Sequence, residues 1–143
     1  MIVLDTDCMT ILERADSEAA IALRAKIHAA GEEIICAIVT VEERLRGWLA
    51  AIAAAKNEEM LRWHYANLER FLIDLQQVRV IPYNAAASAV FEGLRAKKIR
   101  VGTMDMRIAA IAVSQDATLV SRNLKDFKKI PGLKVEDWIG ARQ

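Results

Sequence analysis

Residues 1–12 read MIVLDTDCMTIL, and this stretch sets the fold. Its short apolar run predicts a buried strand, and Asp5 and Asp7 follow that strand where an uncharged turn would suffice. Further β-branched runs, each followed by a segment of helix length, are EIICAIVT (33–40), VRVIPY (78–83) and ATLVS (117–121). Strands that alternate with helices predict an α/β fold, with a parallel sheet covered by helices.

The segment between the second and third predicted strands is unusually long. Val41 to Gln77, broken near AAKNEE (54–59), predicts two antiparallel helices that form a projecting hairpin. A further helix is predicted from about Asn84 to Lys98, and LKVEDWIG (133–140) contains a last strand. At 143 residues the chain is best interpreted as one domain, spanning residues 1–143.

Composition excludes few functions. The formal net charge is +1, so no overall basic field indicates nucleic acid. Cys8 and Cys36 lack the spacing of a zinc site and are expected to be reduced and buried. Asp5 interrupts the first apolar run before it reaches the length of a signal-peptide core, and WLAAIAAAK (48–56) is far shorter than the ~20 residues of a membrane helix. We therefore expect a cytoplasmic protein without a membrane span.

Acidic residues follow the predicted strands. Asp5 lies at a strand's carboxyl end, where open parallel sheets bind ligands, although a turn or helix-capping role explains it equally well. After the second strand, Thr40 and Glu43 have the spacing of a capping box. Glu42 points about a quarter-turn away from Glu43, and periodicity alone does not choose which of the two lines a cleft.

The pattern recurs later in the chain. Thr103 is placed to cap a helix that has Asp105 in its first turn, and the fourth strand is followed by Ser121, Asn123 and Asp126. Such groups would collect at one edge of a parallel sheet, where their repulsion calls for a cation. Oxygen ligands without His or Cys suit Mg²⁺ or Mn²⁺, and the chemistry indicated is metal-assisted phosphodiester hydrolysis.

Four stretches together resemble the PIN-domain ribonucleases, specifically the VapC toxins of bacterial toxin–antitoxin pairs. They are VLDTD (3–7), VTVEERLRG (39–47), MDMRIAAIA (104–112) and LVSRNLKDFKKIPGLKVEDW (119–138). The resemblance covers essentially the whole chain. It implies a three-layer α/β/α domain and a Mg²⁺-dependent endoribonuclease toxin, with Mn²⁺ as a substitute.

The resemblance also implies a ligand set. Asp5 and Asp105 match the family's first-strand aspartate and the aspartate before IAA, and Glu43 matches the acidic residue four positions before a glycine. Asn123 matches the fourth position, so that these residues are the expected catalytic metal ligands. Asp126 lies one helical turn later, where it either contributes to metal binding through a water molecule or does not contribute.

Two positions depart from the family pattern. Asp7 stands where the family often has Asn or Ser, and it either adds charge to a second metal position or caps the helix, the latter being favoured. Arg44 replaces the usual apolar residue. Thr6, Ser121 and Arg122 are assigned to substrate binding. Arg122 is the choice for a phosphate contact, because a guanidinium grips phosphate oxygens bidentately.

Two local basic clusters would attract RNA, or would alternatively form a solubilising helix surface. They are RAKKIR (95–100) and RNLKDFKK (122–129), of which the second adjoins the expected site. The resemblance implies a small antitoxin whose tail docks between the hairpin helices, and a homodimer. Aromatic residues of the hairpin, which are expected mainly to fill the core, are Trp48, Trp63, Tyr65 and Phe71. His28 and His64 are expected at the surface or its boundary, without a catalytic role.

Two other functions remain open from the sequence. The same carboxylates would serve a structure-specific DNA nuclease or another phosphoesterase. A catalytically silent binding module would use its acidic residues only as helix caps, and it would gain no stability from Mg²⁺ or Mn²⁺.

Overall fold

The computed structural model describes residues 1–14 and 16–140. Its sheet has five parallel strands in the order β3-β2-β1-β4-β5. The strands are β1 (Ile2–Leu4), β2 (Ile34–Ala37), β3 (Arg79–Ile81), β4 (Thr118–Val120) and β5 (Lys134–Glu136). Each lies within a run predicted from the sequence, so the α/β class and the parallel sheet are confirmed.

Helices connect these strands. They are α1 (Thr6–Glu13), α2 (Glu18–Ala30), α3 (Ile38–Ala54), α4 (Glu58–Leu75), α5 (Ala85–Ala96), α6 (Thr103–Ser114) and α7 (Leu124–Phe127). Helices α3 and α4 pack together as the predicted hairpin, and the Asn57 side chain caps α4 by accepting the Met60 N–H at 2.8 Å. Asn84 likewise caps α5 by accepting the Ala87 N–H at 3.1 Å.

Alternation along the strands separates three layers. Val3, Ile35 and Leu119 are buried in one cluster with residues of α5 and α6. Their neighbours Leu4 and Val120 are buried on the other face with residues of α1 and α2. Because successive side chains of a strand point to opposite faces, each strand contributes to two cores, and the α/β/α layering is confirmed.

The start of α3 differs from the prediction. The sequence predicts a strand over 33–40 with Thr40 as a cap, but α3 already begins at Ile38, and its N-cap is Ala37 with no side-chain hydrogen bond. Thr40 is buried inside the first turn, so the predicted capping box with Glu43 is wrong. Burial of Val39 and Val41 against the core outweighs the strand preference of β-branched residues.

The cap of α6 is a second, smaller correction. Gly102 is the N-cap, and Thr103 is the first helical residue. Neither Glu43 nor Asp105 is therefore explained by a capping box. The helix-capping role that the sequence left open for Glu43 is therefore excluded.

Strand order places a binding crevice between β1 and β4. From β1 the chain moves to β2 and β3 on one side, then returns to β4 and β5 on the other. The backbone N–H of Asp5 donates to the carbonyl of Val120 at 3.1 Å, so the two strand ends are held together. Ligands of open α/β sheets bind at such a switch point.

Both cysteines are free and buried, as predicted. Burial raises the pKa of the Cys36 thiol to about 11, and it raises the pKa of Cys8 as well, with the Asp5 carboxylate adding to the effect. Both thiols are therefore protonated at neutral pH. In the part of the chain that the structure describes, no helix is long and apolar enough to cross a membrane. The cytoplasmic location stays a prediction.

We predict that Leu119→Ala destabilises the domain by about 2–5 kcal/mol, because Leu119 is fully buried in the central sheet and its removal leaves a cavity. Urea unfolding measures this. Leu49→Ala, which truncates a side chain that is 58% exposed, is the control and should stay within about 0.5 kcal/mol of the parent protein. Equal losses in the two variants would contradict the layer assignment.

Candidate active site

A cleft of about 540 Å³ opens at the carboxyl ends of β1 and β4. It is lined by Asp5, Thr6, Asp7, Asp105, Arg122, Asn123 and Phe127. The structure thus brings together residues from three separate segments, which follow β1, begin α6 and follow β4. Phe127, which sequence reasoning missed, lies four residues after Asn123 on α7, and that helical spacing is the signal that could have found it.

Asp5 is both a helix cap and part of the cleft. Its Oδ1 accepts the Cys8 N–H at 2.8 Å, and the side chain is only 6% exposed. A carboxylate has two oxygens, so capping leaves the other oxygen able to bind a cation. Asp7 is in the first turn of α1 and is not its N-cap, which corrects the favoured assignment of Asp7 to capping.

Thr6 links the cleft to Glu43. The Thr6 hydroxyl donates to Glu43 Oε1 at 2.6 Å, and it lies 3.3 Å from the Thr40 hydroxyl. This fixes the Glu43 carboxylate of α3 beside the start of α1. Glu43 itself faces an adjoining cavity that shares Thr6 as a wall. Thr6, assigned to substrate from the sequence, is therefore placed to position Glu43.

Asp105 carries the strongest electrostatic signal of the cleft. Its pKa is raised to about 6, first by burial and then by the negative charges of Glu43, Asp5 and Asp126. Burial disfavours the charged form of a carboxyl group, and nearby negative charges disfavour it further. The carboxylates of Glu43, Asp5 and Asp126 consequently lie close enough to Asp105 to oppose its ionisation.

Residues after β4 are ordered by local hydrogen bonds. Ser121 is fully buried, and its hydroxyl accepts the Asn123 N–H at 2.9 Å. Ser121 therefore shapes the loop, and its predicted contact with substrate is not supported by this position. The side-chain amide Nδ2–H of Asn123 donates to Asp126 Oδ2 at 3.0 Å. Hydrogen bonds from Asn123 and Lys129 lower the pKa of Asp126.

Positive charge lies at the edge of the cleft. Arg122 lines it, and its Nε–H donates to the Gly140 carbonyl at 3.1 Å. Lys129 Nζ lies 3.1 Å from Asp126 Oδ1 and donates to the carbonyl of Arg100 at 3.2 Å. The two basic clusters predicted from the sequence thus meet at Lys129.

The acidic residues do not form a ready-made metal cage. Within residues 1–14 and 16–140, no group of three or more His, Cys, Asp or Glu side chains is arranged to hold a metal ion. The donor set is nonetheless made of hard oxygens, and its mutual repulsion is the kind that a divalent cation relieves. Closure around an ion requires the carboxylates to approach each other further.

Aromatic residues of the hairpin divide between core and surface. Phe71 is 5% exposed and fills the core beneath α3 and α4, as predicted. Trp48 is half-buried, whereas Trp63 is 63% and Tyr65 53% exposed, so the prediction of core filling is wrong for Trp63 and Tyr65. His28 is exposed and His64 half-buried, as expected.

Arg44 occupies the space under the hairpin. Its guanidinium pairs with Glu13 of α1 and lies 5.3 Å from the ring centre of Trp48 and 5.7 Å from that of Phe71. Burial raises the pKa of Glu13, and Asp74 raises it further, while Arg44 lowers it. Arg44, which departs from the family pattern, therefore cross-links α1 to the hairpin.

The fold and the cleft together define a class: an α/β/α domain with carboxylates gathered at the switch point of a parallel sheet. The family model described as "PIN domain" matches residues 2–133. The chain belongs to the PIN domain family.

Named proteins with similar sequences support this family assignment. Ribonuclease VapC2 of Rickettsia felis is 34% identical over 76 residues, which cover 50% of this chain and 57% of that protein. The tRNA(fMet)-specific endonuclease VapC of Salmonella typhimurium is 29% identical over 104 residues, covering 70% of this chain and 71% of the relative. The solved structure of DNA-bound VapBC from Salmonella typhimurium superposes with a TM-score of 0.74 at 25% identity, over 96% of this chain and 97% of that chain.

We predict that Asp105→Asn stabilises the metal-free protein at pH 8 by about 1–2 kcal/mol, because it removes a repelled charge. Below about pH 3 the carboxyl is protonated in the folded and unfolded states alike, and at pH 4, close to its ordinary pKa of 3.8, only the unfolded state has begun to ionise. The advantage should therefore be absent at low pH, grow as pH rises to about 6, and stay constant above.

Urea unfolding of both proteins in a chelator at pH 4 and pH 8 measures this difference. Titration of the other groups largely cancels when the two proteins are compared at one pH. An advantage of the same size at both pH values would contradict the assigned repulsion.

Proposed function

We propose that this chain is a Mg²⁺-dependent endoribonuclease that acts as the toxin of a toxin–antitoxin pair. The observation that carries the proposal is the gathering of Asp5, Asp105 and Asn123 in one cleft of a PIN-domain fold, where burial and neighbouring carboxylates raise the pKa of Asp105 to about 6. A carboxyl group in a cleft whose pKa is raised by burial and by charged neighbours is a candidate functional group.

The donor set fits a hard divalent cation. Asp5, Glu43 and Asp105 would hold Mg²⁺, or Mn²⁺ in its place, together with the amide oxygen of Asn123. When bound, the cation supplies positive charge to the phosphodiester and activates water for hydrolysis. Asp126 and Asp7 lie near enough to add negative charge without serving as principal ligands.

The chain's own residues perform the remaining tasks. Thr6 holds Glu43 by a hydrogen bond of 2.6 Å, which fixes one carboxylate oxygen before substrate arrives. The hydroxyl of Ser121 fixes the loop that carries Asn123. Arg122, at the edge of the cleft, grips a phosphate group of the RNA, for which a planar guanidinium is well suited.

The substrate and partners follow the named relatives. Relatives are named ribonuclease and tRNA(fMet)-specific endonuclease, which supports RNA as the substrate class here. Solved neighbours are titled VapBC complexes, such as the Salmonella typhimurium assembly, which supports a small cognate antitoxin for this chain. A homodimer and a cytoplasmic location belong to the same proposal.

We predict that Asp105→Asn lowers cleavage of single-stranded RNA at least about 100-fold, because a charged ligand is lost. Asp116→Asn is the matched control: this exposed aspartate precedes β4, at the opposite edge of the sheet, and pairs with Lys134 at 2.7 Å. It should cut at the parent rate. Discrete fragments are measured by gel with purified protein, and a chelator should stop their formation until Mg²⁺ or Mn²⁺ is restored.

Other outcomes separate the alternatives. Equal cleavage by Asp105→Asn and Asp116→Asn would contradict the assigned site. A preference for a DNA oligonucleotide of the same sequence would favour the DNA nuclease. Cleavage that persists at full rate in excess chelator would contradict the metal requirement.

We predict that Mn²⁺ raises the melting temperature of the parent protein and has little effect on Asp105→Asn, because a ligand that binds only the folded state stabilises it. Differential scanning calorimetry at several Mn²⁺ concentrations measures the shift. Asp116→Asn should respond as the parent does. No shift in any of the three proteins would favour the silent binding module.

A further inference from the structure

A second cavity adjoins the acidic cleft. It encloses about 390 Å³ between α3 and α4, within the range of small-molecule binding sites. Thr6 forms part of its wall and part of the wall of the cleft, so the two spaces are neighbours. Its other walls include Glu43, Arg44, Trp48, Trp63 and His64.

Three buried polar atoms of this wall lack a hydrogen-bond partner. They are Arg44 Nε, Trp48 Nε1 and His64 Nδ1, and they are the only buried side-chain nitrogens or oxygens without one among the residues that the structure describes. The Arg44 and Trp48 nitrogens can only donate. All three residues line the same cavity. Because these atoms are buried, a ligand reaches them only when the side chains turn toward the cavity, and acceptor oxygens would then satisfy the Arg44 and Trp48 donors.

The same cavity presents an aromatic face. Trp63 is 63% exposed, and its ring meets the His64 ring edge-on, with centres 5.3 Å apart. This contact holds the indole beside the cavity mouth. Trp63 also lines a further groove that Arg14, Arg24 and Arg70 border. Exposed aromatic rings next to arginines are the features that hold unpaired nucleotides.

We propose that this cavity is a subsite for an unpaired nucleotide of the RNA substrate, next to the bond that is cut. The base stacks on Trp63, and acceptor oxygens of the nucleotide take the unmet donors as the Trp48 and His64 side chains turn toward them. The proposal rests on the proposed function, since it assigns a place to the same substrate.

RNA accounts for the cavity better than an acidic peptide does. Either ligand supplies oxygen acceptors, and every nucleotide also supplies a flat base for the exposed indole, whereas an acidic side chain does not. Glu13 already balances the charge of Arg44, so the wall of the cavity has no surplus charge. It has an unmet Arg44 Nε–H and the face of an aromatic ring. Continuity through Thr6 leads from this subsite to the carboxylates.

The test separates binding from cleavage. A fluorescein-labelled single-stranded RNA of ~12 nucleotides is titrated with Asp5→Asn protein in Mg²⁺, and anisotropy is measured. Trp63→Ala in this background should weaken binding about tenfold, and Trp63→Phe, which keeps a ring face, should retain most of it. Tyr65→Ala removes the other exposed aromatic of α4, which does not line the cavity, and should change the affinity less than twofold.

The cleaving protein gives a second readout. Trp63→Ala should raise KM about tenfold and leave kcat within about twofold, because it removes a contact to a base and not to the reacting phosphate. Equal behaviour of Trp63→Ala and Tyr65→Ala would overturn the subsite. So would a Trp63→Ala protein that keeps its RNA affinity and loses its protein partner.

The two proposals fail in different ways. If the parent protein does not cut RNA, yet RNA binding still depends on Trp63, the proposed function fails and the subsite stands. If the parent cuts RNA and Trp63→Ala cuts it with unchanged KM, the proposed function stands and the subsite fails.

Discussion

The parallel pairing of β1 with β4 is the constraint on which the site depends. Leu4 lies opposite Val120, so Asp5 and Ser121 leave the sheet side by side. A shift of this register by one residue would turn Leu119 out of its core and carry Asp5 away from Asn123. The same backbone contact, from Asp5 N–H to the Val120 carbonyl, therefore fixes both the centre of the sheet and the mouth of the cleft.

Sequence reasoning succeeded where a local pattern carries long-range information. The apolar strand runs predict the sheet, and polar residues that follow parallel strands must meet at one edge, so Asp5 and Asn123 could be grouped without a structure. Asp105 begins α6, which follows α5 and not a strand, so only the family resemblance grouped it with them. Sequence reasoning failed at the start of α3, where Ile38 to Val41 look like strand residues. Packing against the core decides their conformation, and no local residue signals it.

Contacts between distant side chains also left no signal. Thr6 and Glu43 are 37 residues apart, and Arg44 and Glu13 are 31 apart, so neither pair has a helical or strand spacing that would reveal it. Together they tie α1 to α3 at successive positions of the hairpin. Glu43 owes its placement to Thr6 on one side and to the neighbouring Arg44 anchor on the other, and not to the capping interaction that its sequence suggests.

A net charge of +1 conceals a division that matters for the proposed function. Asp5, Asp7 and Asp105 line the cleft together with Arg122, and Lys129 pairs with the nearby Asp126. A phosphate would be attracted by Arg122 and repelled by the carboxylates until their charge is neutralised. Under the proposed function, a bound cation would therefore favour productive RNA binding at this cleft. In the metal-free protein, burial first and the neighbouring carboxylates second raise the pKa of Asp105, and a bound cation would lower it again.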